Sequence, residues 1–315
     1  MQNVMVVGGA GFIGSNLCDV LLKEGYSVIC VDNLMRGTKA NIKEALNNDH
    51  FVFYQADAAD QSQISALMKA HQIDYVFHLA ANSDIQASAK DPTVEFDSTL
   101  STTWSLLSAM RENNIRKMFF ASTSAVYGEK CDTLLSEDLT LLQPISYYGA
   151  AKTASEAFIH AFAHMNNMDV CVFRFANVVG PKLTHGVIYD FVNKLQATPG
   201  HLDVLGNGTQ TKPYIYVYDL IEAILLLCDR VAGVEIYNVG VETATSVKRI
   251  AEIVREEMGL HQAEIRYGTG SIGWKGDVPH FRFDLSRIHA TGWHAKLTSD
   301  EAVRATVKEV LKCRL

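Results

Sequence analysis

Several features that would point to a specialised protein are missing from this chain. No apolar stretch within its 315 residues approaches the roughly 18–20 needed to cross a bilayer. The first apolar run, Val4 to Val7, is cut short by glycines and has no basic leader. No secretory signal is therefore expected, and the chain reads as cytoplasmic. The six cysteines (Cys18, Cys30, Cys131, Cys171, Cys228 and Cys313) are scattered and form no C-x-x-C pair. Most fall inside apolar patterns, so they read as reduced core residues and not as disulfides or metal ligands. Histidine and cysteine share no ligand spacing, and no metal is expected. Basic charge is not in excess: 28 Lys and Arg face 35 Asp and Glu, for a net charge of -7. That balance argues against nucleic acid or an anionic membrane as the main partner. An anionic ligand would have to be met by local groups. Internal repeats, low-complexity tracts and long linkers are also absent.

What is present is an ordinary globular composition, with 48% apolar and 20% charged residues. The length is large for one domain and small for two full ones. The run Val4-Met5-Val6-Val7 suits a strand buried on both faces. Gly8-Gly9-Ala10-Gly11-Phe12-Ile13-Gly14 follows at once, and then helical spacing from Ser15 to Lys23. Strand, glycine turn and helix in this order form a dinucleotide-binding unit. One glycine permits the turn, one lets backbone approach a pyrophosphate, and one lets the helix pack on the strand. Free N–H groups at the helix start meet the phosphate charge. The next predicted strand, Tyr26 to Val31, ends in Asp32. An acid there accepts the hydroxyls of an adenosine ribose and repels a 2′-phosphate, which favours NAD over NADP, although Arg36 nearby weakens that preference.

Further strands are expected at 51–55, 75–79, 118–122 and 170–174. Helices are expected at 61–71, as one long helix at 93–113, and at 146–166. This alternation predicts an α/β fold, a Rossmann-like doubly wound parallel sheet with ligands beyond the carboxyl ends of its strands. After Gly180-Pro181 the pattern changes to short strands (214–217, 236–239) and helices (189–196, 219–228, 247–258, 299–311), with a glycine-rich loop over 268–276. A smaller, partly discontinuous α/β substrate domain is expected there. The boundaries are 1–178 for the first domain and 179–315 for the second, with later segments returning to the first.

Tyr148 and Lys152 are spaced i, i+4 near the start of a predicted helix and share one face. An ammonium there lowers a tyrosine pKa from its usual value near 10. A positively charged nicotinamide lowers it further and makes Tyr148 a usable base. Ser122, Thr123 and Ser124 follow the fifth strand, and any of the three hydroxyls could enter a proton path.

Gly8–Gly14, Asp32-Asn33-Leu34, Asp57-Ala58, His78-Leu79-Ala80-Ala81, Ser122–Gly128, Tyr148–Lys152 and the run 174–181 together resemble the extended short-chain dehydrogenase/reductases. The likeness is to nucleotide-sugar epimerases of the UDP-glucose 4-epimerase type and runs through the whole chain, including 208–215 and 276–278. It implies an NAD-dependent epimerase that oxidises a UDP-hexose at C4 to a keto sugar and returns hydride to the other face. In that family pattern Thr123, Tyr148 and Lys152 are catalytic. NAD is held by Gly8, Gly11, Phe12, Ile13, Gly14, Asp32, Asn33, Asp57, Ala58, Leu79, Ala80, Ala81, Tyr148, Lys152 and Phe175. The nucleotide-diphosphate sugar is held by Ser83, Thr123, Asn177, Val187, Leu205, Lys212 and Asp277.

The chain departs from the pattern in three places. Lys212 and Trp274 stand where phosphate-binding arginines are frequent, which shifts that work toward backbone N–H groups, Asn177, Lys212, Lys275 or Arg282. Trp274 itself is either a ligand-stacking residue or a packed loop aromatic. Thr99 stands where Asn is usual. The 4,6-dehydratase relatives carry Asp-Glu directly after the catalytic Thr. Here those positions are Ser124 and Ala125, which argues against that elimination. A dehydratase or ketoreductase on the same scaffold, and a non-catalytic nucleotide sensor, remain the alternatives. The two long helices, with Ala154, Ala157, Phe158 and Ala161 on the second, suggest a homodimer through a four-helix bundle, as the resemblance also implies.

Overall fold

The computed structural model describes residues 2–82, 85–270, 276 and 278–312. It divides into two compact units. The first comprises Met1–Gly128, Thr140–Arg174 and Ala223–Tyr237. The second comprises Glu129–Leu139, Phe175–Glu222 and Asn238–Leu315.

The first unit is built on a seven-stranded sheet. Its strands are β1 (Asn3–Val7), β2 (Ser27–Asp32), β3 (Phe51–Gln55), β4 (Tyr75–His78), β5 (Lys117–Thr123), β6 (Asp169–Phe175) and β7 (Val234–Val239). They lie in the order β7-β6-β5-β4-β1-β2-β3. Parallel pairing joins β3 to β2, β2 to β1, β1 to β4 and β4 to β5. Strand order reverses between β1 and β4, so the connections that leave their carboxyl ends run in opposite directions, the usual place for a ligand crevice. The uninterrupted apolar runs follow from burial on both faces. Val4 to Val7 are at most 1% exposed, and all four residues of β4 are buried. Met5, Val7, Ile29, Val31, Val76, Met118 and Phe120 pack on one side against Ile64, Met68, Leu106, Met110 and Ile159. Each such fully buried side chain contributes about 1.5–3 kcal/mol.

The helices of this unit include α1 (Phe12–Lys23), α2 (Gln61–Ala70), α3 (Thr102–Glu112) and α4 (Tyr147–Asn166). Asp60 caps α2, its carboxylate accepting from Gln63 N at 3.0 Å. Ser146 caps α4, its Oγ accepting from Gly149 N at 3.1 Å, and Asn167 ends that helix in the left-handed region (φ 51°). Helix α1 begins at Phe12, three residues before the periodicity suggested.

The single long helix expected at 93–113 runs unbroken over 93–112, but it is not α-helical throughout. A short α turn at Thr93–Glu95 leads into a π-helical stretch, Phe96–Ser101, before α3. Side chains in this region bond to the main chain. Thr102 Oγ1 donates to Asp97 O (3.3 Å), and Thr103 Oγ1 donates to Thr99 O (2.8 Å). Apolar spacing alone does not register such bonds, and π turns recur at functional sites.

The second unit is assembled from short strand pairs. Asn177–Val179 pairs in parallel with Tyr214–Tyr216, and His201–Val204 with Glu264–Tyr267. Thr211–Lys212 pairs antiparallel with Thr245–Ser246. Its core lies between helices Val187–Ala197, Val247–Glu257 and Ser299–Lys312, through Ile188, Phe191, Leu195, Ile250, Val254, Val303 and Val307. Among the described residues, no helix is long and apolar enough to cross a membrane.

Candidate active site

The glycine loop leaves β1 and turns directly into α1. Gly8 sits at φ 82°, where its N–H reaches Val31 O at 2.8 Å. A Cβ on Gly8 would lie 2.7 Å from Ala80 N, so the loop touches the end of β4 backbone to backbone. A Cβ on Gly14 would fall 2.2 Å from Gly8 O, so α1 packs onto the loop only because that residue has no side chain. Gly11 differs. A Cβ there would meet only Gly8 O at 3.2 Å, with open space beyond. Gly11 is also the N-cap of α1 and supplies no side-chain cap, which leaves the first N–H groups of Phe12 and Ile13 facing outward. That cradle of backbone donors fits a diphosphate.

Asp32 closes β2 and is 8% exposed. One carboxylate oxygen accepts from Ala10 N (3.0 Å) and the other from Leu34 N (2.8 Å). Burial raises its pKa, and the backbone bonds oppose that rise. A Cβ on Gly37 would stand 2.8 Å from both carboxylate oxygens. The acid is therefore packed as well as bonded. With Gly11 N–H also acting on it, the carboxylate still has acceptor capacity for a ribose hydroxyl. Asn33 spends its Oδ1 on Met35 N (3.0 Å), and Asp57, exposed after β3, holds Ala59 N (2.9 Å). Ala58 is buried beside Asp57, and Leu79, Ala80 and Ala81 are half-buried after β4.

Tyr148, Lys152 and Thr123 are brought together. Thr123 is the last residue of β5; its Oγ1 accepts from Ala125 N at 3.2 Å, and its hydroxyl is near enough to Tyr148 to act on the phenol. The approach depends on two glycines. A Cβ on Gly149 would lie 2.6 Å from Ala125 O, and one on Gly128, at φ 72°, would lie 1.8 Å from Gln143 O. Of the three hydroxyls, Ser122 Oγ turns inward and bonds Glu156. Lys152 is 1% exposed; its Nζ donates to Ala121 O (2.7 Å) and lies 6.0 Å from the Tyr148 ring centre.

The electrostatics differ from the sequence expectation. Burial pushes the Tyr148 phenol above its ordinary value, Glu95 adds to the rise, and Thr123 opposes it. Burial, only partly offset by Glu95 and Glu156, lowers Lys152 to about 7. The chain by itself therefore does not make Tyr148 a base at neutral pH. A further positive charge is needed, as the expectation about nicotinamide already required.

Sequence reasoning missed the acids around this pair. Glu156 accepts from Arg174 through Nε (3.1 and 3.2 Å) and Nη2 (2.6 Å), and Arg174 Nη1 donates to Tyr127 OH (3.1 Å). Glu95 is 2% exposed and accepts from Asn82 Nδ2 and Thr99 Oγ1, both at 2.8 Å. Thr99, the departure from Asn, thus has a definite partner. No apolar period or short motif flags Glu95; only its place four residues before Thr99 on one helical face hinted at the pairing.

Comparison with known proteins decides the family. The model of the NAD dependent epimerase/dehydratase family matches residues 4–240. The chain belongs to the NAD dependent epimerase/dehydratase family. It is 30% identical over 309 residues to a putative UDP-glucose 4-epimerase of Methanocaldococcus jannaschii, covering 96% of this chain and 97% of that protein. The structure of a UDP-glucose 4-epimerase from Thermotoga maritima with UDP-glucose superposes with a TM-score of 0.90 at 30% identity, covering 100% of each chain. A Thermus thermophilus UDP-glucose 4-epimerase complex with NAD gives 0.87 at 29% identity, covering 98% and 99%. The Rossmann-like α/β fold and the NAD cofactor are those of this epimerase/dehydratase family.

In this family member the remaining sequence-predicted residues are distributed over the second unit. Phe175 ends β6, and Asn177, half-buried, pairs in register with Tyr214. Val187 opens its helix, and Lys212 lies half-buried on the strand Thr211–Lys212. Leu205 is 71% exposed after His201–Val204, and Arg282 is exposed on the strand Arg282–Phe283. Ser83, Trp274, Lys275 and Asp277 lie outside the described residues. Among the described residues no group of three or more His, Cys, Asp or Glu could hold a metal ion. His160 and His164 do stand one turn apart on α4, both exposed, but that pair is no such group.

Proposed function

We propose that this chain is a nucleotide-sugar 4-epimerase, in its finer reading a UDP-hexose 4-epimerase. The observation that carries the reading is the gathering of Thr123, Tyr148 and Lys152 at the end of β5, with Ser124 and Ala125 and no carboxylate directly after Thr123. NAD, when bound, supplies the hydride acceptor and donor and a nicotinamide positive charge that favours phenolate at Tyr148. Gly8, Gly11 and Gly14, with the N–H groups of Phe12 and Ile13, would hold its diphosphate. Asp32 and Asn33 would take its adenosine ribose, Asp57 and Ala58 its adenine, and Leu79, Ala80, Ala81 and Phe175 would line it. Lys152 would orient its nicotinamide ribose. Tyr148 takes the proton from the sugar hydroxyl at C4 and later returns it, and Thr123 bridges that path. The sugar nucleotide is assigned to Asn177, Val187, Leu205 and Lys212, with Ser83 and Asp277. Lys212 meets the diphosphate as a point charge, without the fork of an arginine.

A second copy of the chain is the partner this reading includes. Trp104 (46% exposed) stands edge-on to Phe158 and Phe162 at 5.1 and 5.3 Å, with Phe96 and Met165 exposed on the same two helical segments. Such an apolar face supports a homodimer through α3 and α4. The proposed setting is cytoplasmic carbohydrate metabolism that supplies polysaccharide biosynthesis.

The test is to screen UDP-, GDP-, CDP- and dTDP-sugars by NMR without added NAD. A product of unchanged mass, inverted at one carbon, is expected first with UDP-sugars. Loss of water or stoichiometric NADH release would overturn the reading in favour of a dehydratase or a dehydrogenase. Tyr148→Phe should lower kcat by about 10²- to 10⁴-fold while NAD stays bound; survival of activity would remove Tyr148 as the base.

A further inference from the structure

Two carboxylates act on Lys152, and their circumstances differ. Glu156 is held by both Nε and Nη2 of Arg174, so its charge is paired with a guanidinium as well as acting on Lys152. Glu95 is held by Asn82 and Thr99, both neutral. Hydrogen bonds from dipoles stabilise a carboxylate but leave its net charge in place. Lys152 is in the matching condition. Its direct partners are the Ala121 carbonyl and the face of Phe120, 4.6 Å from Nζ. Lys152 and Glu95, both buried and both bonded by neutral groups among the described residues, thus act on one another, and the segment carrying Glu95 packs against α4.

Among the described residues, several other titratable groups near the pair have partners of their own. From β4, His78 is fully buried and its Nε2 lies 3.0 Å from Thr103 Oγ1. Thr103 has one hydroxyl proton and gives it to Thr99 O, so at His78 it accepts. Nε2 therefore carries the imidazole proton, and burial with Lys152 nearby keeps the ring neutral. From β6, Arg174 is matched by Glu156 and Tyr127. From β5, Thr123 meets Tyr148. Among the described residues, no cation bonds Glu95 directly.

We infer that Glu95 is the buried counter-ion of the Tyr148–Lys152 pair, a positioning residue that holds Lys152 as an ammonium and sets the pH range in which the pair works. The inference rests on the proposed function. A negative charge at this place favours ammonium on Lys152 and disfavours phenolate on Tyr148. Removing it moves both titrations in the same direction, downward. A merely structural defect lowers the rate and has no reason to move both.

The experiment compares wild type, Glu95→Gln and Glu95→Asp as NAD-loaded chains. It follows kcat against pH with UDP-glucose, together with phenolate difference absorbance against pH, with Tyr148→Phe as background. In Glu95→Gln both limbs of the rate profile and the Tyr148 phenolate titration should move down by about one pH unit. Glu95→Asp should keep them in place even where kcat falls. Limbs that stay put, limbs that move in opposite directions, or an equal shift in Glu95→Asp would overturn the inference. If the wild type turned over no nucleotide sugar, the proposed function would fail on that ground. The phenolate titration would still decide the role of Glu95, and would do so even if Glu95→Gln were inactive.

Discussion

The two units treat the same ion-pair chemistry in opposite ways. In the first, Arg174 and Glu156 meet with side chains 4% and 5% exposed, and Ser122 and Tyr127 complete the cluster. In the second, Arg304 pairs with Glu256 and Glu257 while itself 33% exposed, and Arg249 joins Glu252, Glu256 and Asp300 along the same helices. Guanidinium and carboxylate are common to both; water is not. A buried pair repays its desolvation only while both members are present. An exposed network sits in high dielectric, is screened by salt and gives up little when broken. The first unit thus tolerates a buried ion pair beside its reactive pair, and the second keeps these arginine networks at the surface.

Three measurements would break or sharpen that contrast. The largest effect is expected for Glu156→Ala, which strands Arg174 in the interior. Urea unfolding should show a loss of about 3–5 kcal/mol, and a loss below 1 kcal/mol would place the pair with the surface networks. Next comes pH. His78 is held well below its ordinary value by burial and by Lys152. As pH falls through about 6.5 the unfolded chain gains a proton that the folded chain refuses, so stability drops toward acid. His78→Gln should flatten the urea midpoint between pH 7 and 5, removing up to about 1.4 kcal/mol per pH unit. An unchanged slope would mean that His78 is not the group being titrated. The smallest effect is expected for Arg304→Ala, within about 1 kcal/mol and shrinking further in high salt. A larger, salt-independent loss would show that the second unit also depends on a dry pair.

The same contrast explains what could be read from the sequence. β1, β4 and β6 are buried on both faces, so their apolar runs announce them, and the glycines at 8, 11 and 14 follow from backbone needs that no other residue meets. Tyr148 and Lys152 share a helix face by spacing alone. Glu156 continues that spacing, four residues after Lys152, whereas Glu95 lies on another segment. An acid in a helical pattern is ordinarily a solvated residue, and only the packing of distant segments shows that these two are dry. The π-helical stretch at 96–101 was equally hidden, because it is fixed by hydroxyl bonds to particular carbonyls. Two-residue strands such as Thr211–Lys212 are too short for any period to register.

The double tie of Asp32 has a kinetic meaning. One carboxylate fastens the turn at Ala10 and the start of the loop at Leu34 to the end of a central strand. The socket for the dinucleotide is thereby assembled in advance, and little chain entropy is lost when the cofactor arrives. What is not lost on entry is not regained on exit, so the arrangement favours a long residence time. A cofactor that stays through many turnovers suits a reaction that ends with the same redox balance with which it began.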